Sequence, residues 1–290
     1  MGKMVITQCR KAEFRWGERT YVMGIINVSP DSFSGDGLAG AEPALEQALR
    51  MVNEGADILD VGGESTRPGG DSITLEEELK RVIPSIERIA SRVDIPISID
   101  SYKFEVVRRA LDAGATIIND QWGLKKEPRL AELAKERGVP LILMSNQRDK
   151  GGFDASINRD TAYYDSAIAE TITSLKNSLE RALEAGVPQE NIIVDPGLGF
   201  GKTWKFDLEI IRRLDEIKVL ERPILLGPSR KSFIKMILNL PAAERVEGTA
   251  AAVAIGIARG ADIVRVHDVK QMVRVCRVSD AIVRGNTGEI

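Results

Sequence analysis

Histidine occurs once in this 290-residue chain and cysteine only twice. A zinc centre draws on several His, Cys or carboxylate ligands, and a Ser-His-Asp triad needs its own imidazole, so neither chemistry has much raw material. Cys9 and Cys276 match no metal-ligand or redox spacing, which makes a reducing cytoplasm the expected compartment. No apolar run approaches the roughly 20 residues that span a bilayer. The opening "MGKMVITQCRKAEFRWGERT" has no apolar core of signal-peptide length, and Ile6 stands where myristoylation wants Ser or Thr. With 29% charged residues and a formal charge of -3, there is no basic excess. Nucleic acid and anionic membrane are therefore not expected partners.

What is present is rhythm. Short apolar, β-branched runs recur at 21–28, 57–64, 96–100, 116–120, 140–144, 191–197, 223–228 and 262–268. Segments of helical period lie between them, among them "AEPALEQALRMVNEGA", "LEEELKRVIPSIERIASR" and "FEVVRRALDAGA", several ending in Gly where a helix stops. Near-continuous apolar strands alternating with helices indicate a parallel sheet covered on both faces. Eight such units predict a single-domain (β/α)8 barrel over residues 1–290, with a β-hairpin at about 4–20 closing its bottom.

In a parallel barrel the reactive face is the carboxyl end of the strands. There the apolar strands turn polar: Asn27, Asp60 and Glu64, Asp100, Asn119 and Asp120, Asp195, then "GPSRKS" (227–232), then Arg265, His267 and Asp268. Each alone reads as a cap or a solvated loop. Their convergence on one mouth, where each would carry a desolvation cost without a partner, points to a polar, ring-like ligand. Beside them, Ser229 to Ser232 and the cations of the eighth strand suit an anion such as phosphate.

Two nucleotide motifs fail on inspection. "DPGLGFGKT" has Pro196 where a P-loop needs Gly, and "GDGLAG" (35–40) begins well past the end of the first strand, not in a tight strand-to-helix turn. A loop of that composition suits closure over a substrate.

Through "GIINVSPDSFSGDG", "DVGGESTRPGG", "SIDS", "IIND", "VDPGLGFGKT", "GPSRKSFI" and "RVHDV", in that order from Val22 to Ile282, the chain resembles the dihydropteroate synthases. That resemblance implies joining of a dihydropterin methyl diphosphate to p-aminobenzoate, Mg2+ as cofactor, membership of an enzyme class that sulfonamides target, and a homodimer. It implies a pterin held by Asp100, Asn119, Met144, Asp195, Gly227, Lys231 and Arg265, with Asp100, Asp195 and Lys231 catalytic. It places the diphosphate on Asn27, Arg265 and His267, the metal at Asn27, and the aminobenzoate on Thr66, Arg67, Pro68, Phe200 and Ser232. The chemistry suits these residues, because a pterin edge alternates donors and acceptors that carboxylates and Lys can match, and departing diphosphate is stabilised by cations.

Trp122, Ser145 and Lys235 depart from the family's usual small residue, His and Gly. The alternatives are a methyltetrahydrofolate-dependent methyltransferase or a pterin-binding paralogue without synthase activity. The "SRKS" and "RVH" corner and the long first loop favour the synthase.

Overall fold

A computed structural model describes residues 6–29, 40–64, 73–150 and 161–287. An antiparallel hairpin, β1 (Ile6–Cys9) and β2 (Ala12–Arg15), precedes eight parallel strands. These are β3 (Tyr21–Asn27), β4 (Ile58–Gly62), β5 (Ile97–Asp100), β6 (Ile117–Asp120), β7 (Leu141–Met144), β8 (Ile192–Asp195), β9 (Leu225–Leu226) and β10 (Ile263–Val266). Their order β8-β7-β6-β5-β4-β3-β10-β9 is brought almost to closure by a single parallel bridge between Val194 and Ile224. The seventh barrel strand is far shorter than its 223–228 run suggests. Pro223 and Pro228 flank it and have no N–H to give a ladder, so only two residues pair regularly on this seam.

The helices are α1 (Ala41–Asn53), α2 (Leu75–Ala90), α3 (Phe104–Asp112), α4 (Arg129–Arg137), α5 (Thr161–Glu184), α6 (Trp204–Arg212), α7 (Ser232–Leu238), α8 (Val246–Ala258) and α9 (Val269–Arg284). Alternation along each strand sorts the side chains into two sets. Leu59, Val61, Ile99, Ile118, Leu141, Leu143, Ile192, Val264 and Val266 face outward and pack under the helices. Met23, Ile58, Ile117, Ile142, Ile193, Leu225 and Ile263 face inward and join Cys9, Phe14, Trp16 and Tyr21.

The hairpin therefore seals the amino end of the barrel, as its sequence suggests. Phe14 stacks on Trp16 with centroids 5.4 Å apart, and Tyr21 meets both rings edge-on. This apolar floor fixes how deep a ligand can enter, and the polar residues begin one pleat above it.

Both cysteines are buried and unpaired. Burial pushes the Cys276 thiol up to about 12 and raises that of Cys9, and a thiol so shielded is inert. Neither thiol of the native protein is expected to react with an aromatic disulfide reagent at pH 8, and both should react in guanidinium. Prompt reaction of either in the native state would contradict this packing.

Candidate active site

Above the floor, the inward phase of each strand places Asn27, Asp60, Asp100, Asn119, Met144, Asp195 and Arg265 around one mouth, with Gly227 and His267 just beyond their strands. Of the predicted site residues, Thr66, Arg67 and Pro68 lie outside the described residues, as does most of the first strand-to-helix loop.

Arg265 organises the centre. Its Nε donates to Asp60 Oδ2 at 2.6 Å and its Nη2 to Asp100 Oδ2 at 2.7 Å. The Asn119 carboxamide nitrogen reaches both oxygens of Asp60, at 3.3 and 3.2 Å. Gly62 lies opposite Asp100 in the β4–β5 register. Burial pushes the Asp100 carboxyl up to about 7; Arg265 opposes this, Asp60 adds to it, and Gln121 also opposes it. Burial is also the first influence on Arg265, but its two carboxylates win, and it stays protonated with its acidity further reduced.

On the opposite wall, Asp195 is raised by burial and held down by Gly197 N–H, Lys231, Arg265 and Lys202. Its Oδ1 accepts the Gly197 N–H at 2.7 Å. Gly197 has φ +72, and a Cβ would come within 2.4 Å of the Ser145 carbonyl oxygen, so only glycine lets the loop turn this close to the end of the neighbouring strand β7. Lys202 staples that turn by donating to the carbonyls of Ser145 and Gly197 at 2.6 and 3.0 Å.

Lys231 lies with Nζ 4.6 Å from the Phe200 ring centroid. Burial pushes its ammonium down to about 8, while Asp207 and Asp195 sustain the charge. Phe200 itself is only 8% exposed, and Arg148 packs against it with Cζ 4.5 Å from its centroid. Ser232, the first residue of α7, is exposed.

The anion corner is narrower than "SRKS" suggests. Arg230, at φ +57, turns to Asp268, with Nε to Oδ2 at 3.1 Å and Nη2 to Oδ1 at 2.7 Å. Ser229 instead faces the lone histidine. Ser229 Oγ accepts the His267 backbone N–H at 3.2 Å and lies 2.8 Å from Nδ1. When the Ser229 hydroxyl donates to Nδ1, the ring N–H lies on Nε2, a donor suited to an anion.

The family's model for pterin binding enzymes matches residues 23–267. The curated dihydropteroate synthase of Clostridium beijerinckii is 48% identical over 274 residues, covering 94% of this chain and 97% of that one. The one from Bacillus subtilis is 44% identical, covering 96% and 93%. The chain belongs to the dihydropteroate synthase family.

Among solved structures, a dihydropteroate synthase from Clostridium difficile with pteroic acid superposes with a TM-score of 0.83 at 43% identity, covering 93% of this chain and 99% of that one. The Yersinia pestis dihydropteroate synthase with a sulfonamide drug gives 0.86 at 36% identity, covering 96% and 98%. The chain is thus a transferase of the synthase class, built on the barrel its strand rhythm implies.

The sequence departures that distinguish this synthase fall mostly away from the centre. Ser145 follows the inward-facing Met144 and so takes the outward phase; it is fully buried, with its carbonyl bound by Lys202. Trp122 meets Tyr102 edge-on at 6.2 Å, with the Lys126 ammonium 3.8 Å from its ring centroid, on the rim. Lys235 is exposed on α7.

Three residues that touch the site have no role in the motif reading. Asp60 supplies half of the Arg265 clamp, Gln121 bonds Asp100, and Asp207 accepts the Gly199 N–H at 2.8 Å. Asp60 was legible as an inward polar residue. Asp207 sits in the first turn of α6, where an acid is ordinary, and carries no such signal.

Proposed function

We propose the following division of labour for the synthase reaction, in which (7,8-dihydropterin-6-yl)methyl diphosphate and p-aminobenzoate give 7,8-dihydropteroate and diphosphate. The observation that carries it is the convergence of Asp60, Asp100, Asn119, Asp195 and Arg265 above an apolar floor. Asp195, Asn119 and Lys231 hold the pterin edge, with Met144 and the Arg265 guanidinium against its faces and Gly227 leaving room at the seventh strand. Asn27, Arg265 and His267 hold the diphosphate.

The carbon–oxygen bond breaks with its electron pair leaving on diphosphate, and Asp100 stabilises the positive charge left on the pterin methylene. The neutral amine of aminobenzoate then attacks and sheds its proton after the carbon–nitrogen bond has formed. Thr66, Arg67, Pro68, Phe200 and Ser232 position that amine.

No cluster of three His, Cys or carboxylate groups exists among the described residues. Mg2+ needs none, because it keeps several waters and binds through one or two protein oxygens plus substrate phosphates. The Asn27 carboxamide oxygen, on the inward face at the end of its strand, fits that demand. The ion would neutralise charge on the departing diphosphate.

The test is aminobenzoate-dependent release of diphosphate by purified protein, with and without Mg2+. Pterin binding with no diphosphate released would instead indicate a binding paralogue, and methyl transfer from methyltetrahydrofolate the methyltransferase.

We further place the enzyme in the cytoplasm, on the strength of its free buried thiols, and read it as a homodimer. Ile255 on α8 and Val278 and Ile282 on α9 are 51, 61 and 79% exposed, on two helices that pack together, and unsupported apolar area of this kind favours association. Light scattering should report twice 31.8 kDa, and Ile282→Asp should return the monomer mass. A native monomer would contradict this reading.

A further inference from the structure

Gln121 stands one residue past the end of β6 and continues the inward phase of Ile117 and Asn119. Its Nε2 donates to Asp100 Oδ1, while Arg265 donates to Asp100 Oδ2 at 2.7 Å. The pattern repeats one strand away: Asp60 receives one nitrogen from Arg265 and one from the Asn119 carboxamide. Asp60 and Asp100 are thus each held by the shared guanidinium and by one carboxamide of β6 or its extension.

The Gln121 backbone is fixed independently of this bond. Its carbonyl accepts the Asn146 Nδ2–H at 3.0 Å. The turn that follows is tied by Asp120, which accepts the Trp122 and Leu124 N–H groups at 2.9 and 2.6 Å. Gln121 is 7% exposed, so its amide is aimed before any ligand arrives, and a charge-assisted hydrogen bond made by a preorganised donor is among the stronger kinds.

We infer that Gln121 is a positioning residue for the synthase reaction, orienting the Asp100 carboxylate and keeping it ionised so that it can face the cationic pterin. This inference rests on the synthase reading of the site. The charged groups facing Asp100 are Arg265 from β10, Asp60 from β4 and Glu78 from α2. The two acids favour protonation, as does burial, and among the described residues Arg265 and the Gln121 amide are the main groups that oppose it. Removing the amide takes away one of these two, so Asp100 should take up a proton at a higher pH.

The experiment compares native protein with Gln121→Leu across pH 5.5–9. It measures kcat/KM for the dihydropterin diphosphate and, separately, the fluorescence-detected affinity for a non-reactive pterin. The expected result is a fall in kcat/KM of about 10- to 100-fold near neutral pH. The acid limb should move to higher pH, and the loss should shrink as pH rises and Asp100 ionises again. Should Gln121→Leu lack a cooperative melt, Gln121→Met, of similar length and without a donor, replaces it.

An acid limb that superimposes on the native one would overturn the inference, even with reduced activity, since packing loss alone does not move a titration. If the native protein binds pterin but makes no product, the synthase reading fails. The pH dependence of pterin affinity in the two proteins would then still decide the role of Gln121.

Discussion

Arg265→Met is expected to reduce kcat/KM by about 1,000-fold and to destabilise the fold by about 3–5 kcal/mol, the usual result of stripping one partner from buried ionic groups. Asp60 is fully buried and Asp100 nearly so, and both lose their shared cation in this variant. The substitution keeps most of the side-chain volume, so the effect reports charge more than cavity. Asp100 answers by taking a proton, and this sets the sign of the pH dependence. A carboxyl whose pKa is raised by folding contributes stability that is intact below its unfolded value of 3.8 and is lost as pH rises through the folded value. In the native protein that folded value is about 7, and removing Arg265 raises it further. The stability gap between native and variant should therefore stay nearly constant from pH 5 to pH 6 and widen as pH rises through about 7 in urea titrations. Arg265→Lys should recover little, because one ammonium does not present two diverging N–H groups to two carboxylates on neighbouring strands.

Asp195→Asn is expected to weaken pterin binding about 100-fold or more while leaving the melting temperature within a few degrees. The native carboxylate has two acceptor oxygens. One holds the Gly197 N–H at 2.7 Å, and the other faces the ligand in the proposed reading. An amide offers one acceptor and one donor. If its oxygen stays on Gly197, its NH2 meets a pterin N–H, donor against donor; if it flips, the loop amide is left unpaired. Either outcome forfeits a charge-assisted bond in a desolvated setting, which is where such losses are largest. Calorimetry with a pterin lacking the diphosphate checks this directly.

Much of this site was legible because a strand has period two. Once the inward phase is set by the apolar floor, Asn27, Asp100, Asn119, Asp195 and Arg265 have only one place to go, and the structure puts them there. What period cannot show is which inward residue meets which. Arg265 and Asp60 are 205 positions apart, and nothing local to either marks the pair. Gln121 escaped because its strand ends at Asp120, so it read as loop. Arg230 went the other way: as part of a basic run it suggested an anion, whereas the turn at φ +57 delivers it to Asp268. The two-residue seventh strand was overestimated because its flanking prolines look apolar in a run but have no N–H to give a ladder.

In the proposed reading the mouth has two halves, a pterin edge at Asp195 and a diphosphate corner at His267, whose ring is held by Ser229. The measurement that tests it most directly is the equilibrium affinity of native protein, Asp195→Asn and His267→Ala for a pterin with and without its methyl diphosphate. The prediction is that His267→Ala binds the bare pterin as the native protein does and loses about tenfold only for the diphosphate, while Asp195→Asn loses affinity for both. Equal loss of bare pterin binding in the two variants would contradict it.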